Sequence, residues 1–265
     1  MQALRPSFDL ERFFARVESS DTRVLMLDYD GTLAPFRVQP AEAVPYPGVI
    51  PILDAIMDAG HTRVVIVSGR WTKDLVPLIR LKRRPELWGS HGWERIRNGD
   101  EYESARLEPR VIEKLVEVDD WTEEIESLGG RVERKPAGIA FHWRGLPVST
   151  AATVHDAVAA KWTTVASSGA IEWHDFDGGI ELRAAGRNKG DVVRALAAEL
   201  GDDAAIAYLG DDRTDEDAFE AMPAHGAAVL VAPQLRTTAA GVWITPPGEL
   251  IEFLRRWHDA AKAED

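Results

Sequence analysis

The stretch from Val24 to Leu33 constrains this chain more than any other. Val24-Leu25-Met26-Leu27 is an unbroken apolar run, too short for a helix, with a β-branched start, so it reads as a buried strand. Asp28-Tyr29-Asp30-Gly31-Thr32 follows directly. Two carboxylates at i and i+2 of an extended segment project to one side, and Gly31 lets the chain turn sharply beyond them. Acids at the C-terminal end of a parallel strand lie where open α/β sheets bind ligands. A solvated acidic turn would account for the Asp-x-Asp pair alone. The attached Gly-Thr-Leu and the segments downstream argue against that simpler reading.

The composition narrows the function classes. With 265 residues, 45% of them hydrophobic, the chain can build one large domain or two smaller ones. A net charge of −13 disfavours nucleic acid and anionic membrane surfaces, so neither is expected as a partner. A phosphate ester would need a local cation from Lys, Arg or a metal. The absence of Cys excludes disulfides, thiolate zinc sites and Cys nucleophiles, and it is compatible with the cytoplasm. Met1 to Phe14 is broken by Arg5, Pro6, Asp9, Glu11 and Arg12, and no run of about 18 apolar residues occurs. These features predict a soluble, cytoplasmic protein. Oligomeric state is left open, with a monomer as the default.

Along the chain, a helix over about 8–17 precedes the first strand, and a Pro-rich loop (34–47) follows the acidic turn. The spacing of Val49, Ile52, Leu53, Ile56 and Met57 predicts a helix to Ala59, closed by Gly60. Arg63–Val67 reads as a second strand running into Ser68-Gly69-Arg70 and a helix to about Ile79, which Pro77 bends or shortens. Leu87–Gly89 reads as a third strand, and Asn98-Gly99 carries a hairpin signal. Then the rhythm changes. One helical stripe (111–128), strands either side of Pro136-Ala137-Gly138, a helix over about 150–165 and strands either side of Asp177-Gly178-Gly179 give an αββαββ order. Beyond Gly186 the α/β rhythm returns: a helix from Lys189, a strand at Ala205–Leu209, a helix at 217–222, a strand at Ala227–Val231, an edge segment at Val242–Ile244 and a closing helix. The predicted fold class is α/β: a Rossmann-like parallel-sheet core, residues 1–107 and 185–265, interrupted by an inserted α+β cap at 108–184.

Asp28 and Asp30, Ser68, Lys189, and Asp211, Asp212 and Asp215 sit at predicted strand ends or helix starts, which meet along one edge of a parallel sheet. There is no Ser-His-Asp set, Walker loop or dinucleotide glycine turn. Clustered carboxylates without Cys or His suit a hard cation such as Mg²⁺, and a carboxylate can itself attack phosphorus.

Together, Asp28-Tyr29-Asp30-Gly31-Thr32-Leu33, Val67-Ser68-Gly69-Arg70, Lys189-Gly190 and Gly210-Asp211-Asp212-x-Thr214-Asp215-Glu216 resemble, in order, the four motifs of the haloacid dehalogenase superfamily of phosphatases. The insert resembles that superfamily's C2 cap. Gly89-Ser90-His91-Gly92-Trp93-Glu94, Glu133-Arg134-Lys135, Ala140-Phe141-His142-Trp143-Arg144 and Glu181-Leu182-Arg183-Ala184-Ala185-Gly186 resemble segments of trehalose-6-phosphate phosphatases, with Ala184 where those enzymes usually have Pro. The resemblance implies hydrolysis of trehalose 6-phosphate, the last step of trehalose biosynthesis. It makes Asp28 the nucleophile and Asp30 the acid and base. Ser68 and Lys189 hold the phosphoryl oxygens, and Mg²⁺ binds on Asp28, the Asp30 carbonyl and Asp211, with Asp215 on or beside it. Arg70, His91, Glu94, Glu133, Lys135, Arg144 and Glu181 are then expected to bind substrate. Three rivals are another sugar phosphate such as mannosyl-3-phosphoglycerate or glucosylglycerol phosphate, a phosphomannomutase-like phosphotransferase, and a non-catalytic sugar-phosphate-binding module.

Overall fold

The computed structural model describes residues 1–6, 8–97, 101–176 and 178–262. Chain contacts divide it into two units, Met1–Glu103 with Asn188–Asp265, and Ser104–Arg187. The expected Asn98-Gly99 turn and Asp177 lie outside the described residues.

In the first unit the elements are β1 (Gln2–Ala3), α1 (Leu10–Ser19), β2 (Arg23–Leu27), α2 (Val49–Ala59), β3 (Thr62–Val67), α3 (Thr72–Leu75), β4 (Glu86–Gly89), β5 (Glu94–Ile96) and β6 (Tyr102–Ser104). In the insert come α4 (Pro109–Asp119), α5 (Thr122–Ser127), β7 (Arg131–Lys135), β8 (Gly138–His142), α6 (Val148–Val165), β9 (Ile171–Phe176) and β10 (Gly179–Ala184). The first unit then resumes with α7 (Lys189–Leu200), β11 (Ala205–Gly210), α8 (Glu216–Ala221), β12 (Ala227–Val231), β13 (Val242–Ile244) and α9 (Gly248–Lys262).

The large sheet runs β1-β13-β12-β11-β2-β3-β4-β5-β6. From β13 to β4 every pairing is parallel. β2 lies in the middle with all five residues buried, because both of its faces are covered. Leu25 and Leu27 join the layer with α1, α2 and α9, while Val24 and Met26 join the layer with α7 and α8. Each such side chain contributes about 2 kcal/mol by leaving water. The chain proceeds from β2 to β3 and β4 on one side, then returns on the other side at β11. The order therefore reverses between β2 and β11, and the crevice beyond their C-terminal ends is the topological switch point.

Helix α2 spans the predicted residues and ends at Gly60 with φ +82°, a left-handed cap that costs glycine little. The helix after Arg70 is one turn followed by a 3₁₀ turn over Val76–Leu78, shortened at Pro77 as expected because proline removes a donor. Two expectations need correction. Val242–Ile244 is not an edge, because Gln2–Ala3 adds an antiparallel strand outside it. The stripe over 111–128 is two helices: the Trp121 N–H bonds back to Val118 and the Thr122 hydroxyl donates to the Asp119 carbonyl, tightening the turn between them.

The second unit is a four-stranded antiparallel sheet in the order β7-β8-β10-β9, with α4 packed across β8, β9 and β10. Ile139, Phe141, Ile180 and Leu182 are buried on one face. A Trp143–His155–Trp173–Trp162 chain of ring contacts shows these tryptophans packing within the unit. No helix among the described residues is long and apolar enough to cross a membrane.

Candidate active site

Strand β2 ends at Leu27, so Asp28 and Asp30 stand in the turn beyond it and not on the strand itself. The Asp28 N–H bonds to the Leu209 carbonyl of β11, which ties the first acid to the neighbouring strand end. Lys189, the first residue of α7, reaches into the same place. Its Nζ donates to Asp28 Oδ1 and to Asp215 Oδ1, each at 2.7 Å. α7 starts there because Asn188 caps it and Asp191 closes a capping box.

Asp28, Asp211 and Asp215 bring carboxylate oxygens within 4.8 Å of one another. Burial pushes the Asp28 carboxyl up to about 7 against the pull of Lys189. Burial, with Asp28 and Asp215 close by, raises Asp211 well above the carboxylate range. Burial disfavours the Lys189 ammonium, but Asp215 and Asp28 outweigh it and raise its pKa. Such crowded negative charge is what a bound cation relieves, and an all-oxygen donor set suits a hard one. Gly31 keeps the crevice open. It has φ +87°, and a Cβ there would stand 2.0 Å from Asp211 Oδ2. The donors therefore fit a hard metal cation.

Asp215 is fully engaged. Oδ1 accepts from Lys189 and from the Tyr208 hydroxyl at 2.6 Å, and Oδ2 accepts the N–H groups of Asp211 at 3.0 Å and Asp212 at 2.9 Å. Direct ligation of a cation by Asp215 would require one of these donors to give way. The Thr32 hydroxyl donates to Asp211 Oδ1 at 3.2 Å.

Asp30 has a different neighbour. Arg70 holds its carboxylate with two contacts, Nε to Oδ2 and Nη2 to Oδ1. Ser68 is buried, and its Oγ accepts the Arg70 N–H at 3.1 Å. The Ser68-Gly69-Arg70 turn rests on the loop after β4. The Ser90 N–H bonds to the Arg70 carbonyl and the His91 N–H to the Ser68 carbonyl. A Cβ on Gly69 would lie 2.6 Å from His91 Nε2, so only glycine permits this approach. Ser90 and His91 both have positive φ, 49° and 56°, a costly conformation that surrounding bonds must hold. Glu94 holds it. Its oxygens accept from Thr72 N–H, the Thr72 hydroxyl, Ser90 Oγ and the Tyr102 hydroxyl. In this structure the Glu94 acceptors are used in shaping the loop that carries His91.

On the cap, cross-strand register sets one face. Glu133, Ala140, Glu181 and His174 form one row, and Lys135, Gly138, Arg183 and Glu172 the next. The small residues in the second strand leave room for long side chains to converge. Lys135 Nζ donates to Glu181 Oε1 at 2.8 Å; Glu181 is buried and Lys135 is partly buried. His142 Nε2 meets Glu133 Oε2 at 2.9 Å. Burial opposes ionisation of Glu133, but Lys135 and His142 hold its carboxyl down at about 2. Burial lowers the His142 pKa, so a neutral ring donates its Nε2–H to this carboxylate. Arg144 lies beyond the end of β8, and its N–H bonds to the Gly178 carbonyl.

The family model described as trehalose-phosphatase matches residues 26–239. The chain belongs to the trehalose-phosphatase family. It is 30% identical over 277 residues to the Oryza sativa subsp. japonica protein named probable trehalose-phosphate phosphatase 9, covering 91% of this chain and 71% of that one. The C. albicans trehalose-6-phosphate phosphatase C-terminal domain superposes with a TM-score of 0.81 at 25% identity, covering 98% of this chain and 99% of that one. A haloacid dehalogenase-like hydrolase from Bacteroides thetaiotaomicron shares the fold, with a TM-score of 0.65 at 17% identity and coverage of 89% and 99%.

Within each unit of this trehalose-phosphatase, some residues carry roles that the sequence did not single out. Tyr208 reads as an ordinary buried strand residue, yet its hydroxyl orients Asp215. Arg183 is buried on the polar cap face, although its motif position beside Glu181 offered a signal. Thr72 and Tyr102 carry no motif signal, because only folding brings them to Glu94.

Proposed function

We propose that this protein hydrolyses trehalose 6-phosphate to trehalose and inorganic phosphate, through an aspartyl-phosphate on Asp28 and with Mg²⁺ as its cation. The observation that carries the reading is the buried Lys189 bridging Asp28 and Asp215, with Asp211 in the same cluster. A carboxylate held beside an ammonium at the switch point is positioned to meet a phosphoryl group that the ammonium also attracts.

In the first step an Asp28 oxygen attacks phosphorus and the bond to the sugar oxygen breaks. The Asp30 carboxyl gives that oxygen its proton. In the second step water attacks the phosphorus of the aspartyl-phosphate, Asp30 takes the proton, and Asp28 and phosphate are released. Proton donor and acceptor are one group because the two steps mirror each other. Arg70 holds the Asp30 carboxylate where it takes the proton from water, and one of the two contacts gives way when Asp30 carries the proton of the first step. Ser68 and Lys189 neutralise and orient the phosphoryl oxygens. Asp28, Asp211 and the Asp30 carbonyl would hold Mg²⁺, with Asp215 steadying the loop. When bound, the ion adds positive charge where the phosphoryl oxygens gather negative charge.

On the cap, Glu133, Lys135 and Glu181 are proposed to exchange their mutual contacts for sugar hydroxyls, with Arg144 beside them. An acceptor pair and an ammonium match the donors and acceptors of a glucose ring. The clustered cap charges favour this substrate over a phosphotransferase reaction. A cytoplasmic location fits a Cys-free chain.

The test is phosphate release from a panel of sugar phosphates by wild type and Asp28→Asn, with Mg²⁺ and with EDTA. Preference for trehalose 6-phosphate, abolished by EDTA and by the substitution, is expected. Turnover of other sugar phosphates but not this one would overturn the substrate. Tight binding without turnover of any ester would overturn the enzyme reading.

A further inference from the structure

The loop that carries Asp211 is gripped from two sides. Asp215 takes the N–H groups of Asp211 and Asp212. From the opposite side comes Arg236, on the segment after β12. Its Nε and Nη2 donate to the Asp211 carbonyl at 3.2 and 2.9 Å, and Nη2 donates to the Asp212 carbonyl at 2.8 Å. Its Nη1 donates to Glu216 Oε1 and to the Thr237 carbonyl. Five contacts therefore use the whole guanidinium fork. Glu216, the first residue of α8, completes the clamp by accepting the Ala239 N–H at 2.7 Å and the Thr238 hydroxyl at 3.2 Å.

Both peptide hydrogen-bonding groups of Asp211 are thus fixed, and its side-chain torsions remain as its freedom. That matters because Asp211 is forced close to two other carboxylates, and their repulsion would move an unrestrained loop away from Asp28. We infer that Arg236 is a positioning residue that holds the Asp211–Asp212 loop in its cation-binding shape. The inference rests on the cation reading above. Arg236 touches neither substrate nor the reacting atoms in this role. Its full set of protein acceptors makes it a support for a cation ligand and not a phosphate binder. Lysine keeps the charge but has one donor centre, which cannot reach both carbonyls and Glu216 together.

The experiment is titration calorimetry of Mg²⁺ into wild type, Arg236→Ala, Arg236→Lys and Glu216→Gln, with thermal unfolding in EDTA as the control for folding. Loss of an outer support typically weakens metal binding about 10- to 100-fold. Arg236→Ala and Arg236→Lys are expected to lose about tenfold or more in Mg²⁺ affinity, and Glu216→Gln less, while unfolding temperatures in EDTA stay within about 3 °C of wild type. Should Arg236→Ala fail to fold, Arg236→Lys decides alone. Wild-type Mg²⁺ affinity in Arg236→Lys overturns the inference. So does an affinity loss in that variant accompanied by a large fall in its EDTA unfolding temperature, because the role would then be general stability. A wild type that binds no Mg²⁺ would sink the cation reading itself, whereas normal wild-type binding with unaltered variants would sink Arg236 alone.

Discussion

Arg70 grips Asp30 through two parallel contacts, Nε to Oδ2 at 2.5 Å and Nη2 to Oδ1 at 2.6 Å. The fork fixes the plane of the carboxylate as well as its position, which a lysine cannot do. Arg70→Lys should therefore lower kcat about 10- to 100-fold with a smaller effect on KM, and Asp30→Asn should lower it about 10²- to 10⁴-fold. The double variant should be no worse than Asp30→Asn, since the two residues act as one unit. Additive losses in steady-state kinetics would mean that Arg70 acts on the substrate alone.

Glu94 satisfies four donors in a site that is 1% exposed. Its removal leaves buried hydroxyls and an N–H without a partner. Glu94→Ala should cost about 3 kcal/mol in chemical denaturation. Among the molecules that stay folded, the KM for trehalose 6-phosphate should stay close to the wild-type value. A large KM increase with unchanged stability would put Glu94 on the substrate.

Glu133 gives the cap a pH dependence. Its folded pKa, about 2, lies below the ordinary value of 4.5, so the native cap binds its proton less readily than the unfolded chain does. The stabilisation is fully present above about pH 4.5 and is lost as pH falls toward 2. Glu133→Gln should destabilise the protein by about 2 kcal/mol at pH 7, because it leaves Lys135 and His142 without the carboxylate. The two proteins should converge between pH 4.5 and 2. A gap that is constant with pH in unfolding curves would exclude the charge as the cause.

Gly31 tests the cation crevice. An alanine there meets both a left-handed backbone and the Asp211 carboxylate 2.0 Å away. Gly31→Ala should lose about 1–2 kcal/mol of stability. It should also lose measurable Mg²⁺ binding by calorimetry. Retained Mg²⁺ affinity would show that Asp211 can move aside without loss.

Much of the core was legible because its strands are buried on both faces and appear as unbroken apolar runs, as in Val24–Leu27 and Ala227–Val231. Helix α2 announced both its stripe and its stop at Gly60. The residues at the strand ends were legible too, since a parallel sheet gathers such ends along one edge. The break at Asp120–Trp121 was hidden because the apolar stripe continues across it. The outer strand Gln2–Ala3 was hidden because two residues carry no periodicity, and their partner is Val242–Trp243 at the far end of the chain.

By itself the sequence determined which residue types stand at the switch point and in what order: the acids after β2 and β11, the hydroxyl after β3 and the lysine opening α7. It did so because these positions are tied to local signals, apolar runs, turns and helix caps. Tertiary structure alone decided who meets whom. Lys189 lies between Asp28 and Asp215, Arg70 on Asp30, Lys135 on Glu181, Glu94 on Thr72 and Arg236 across the Asp211 carbonyl. These partners are separated by long stretches of chain or by a strand crossing. Their pairing is set by register, crossover and burial, where an unpaired charge is costly enough to select one partner.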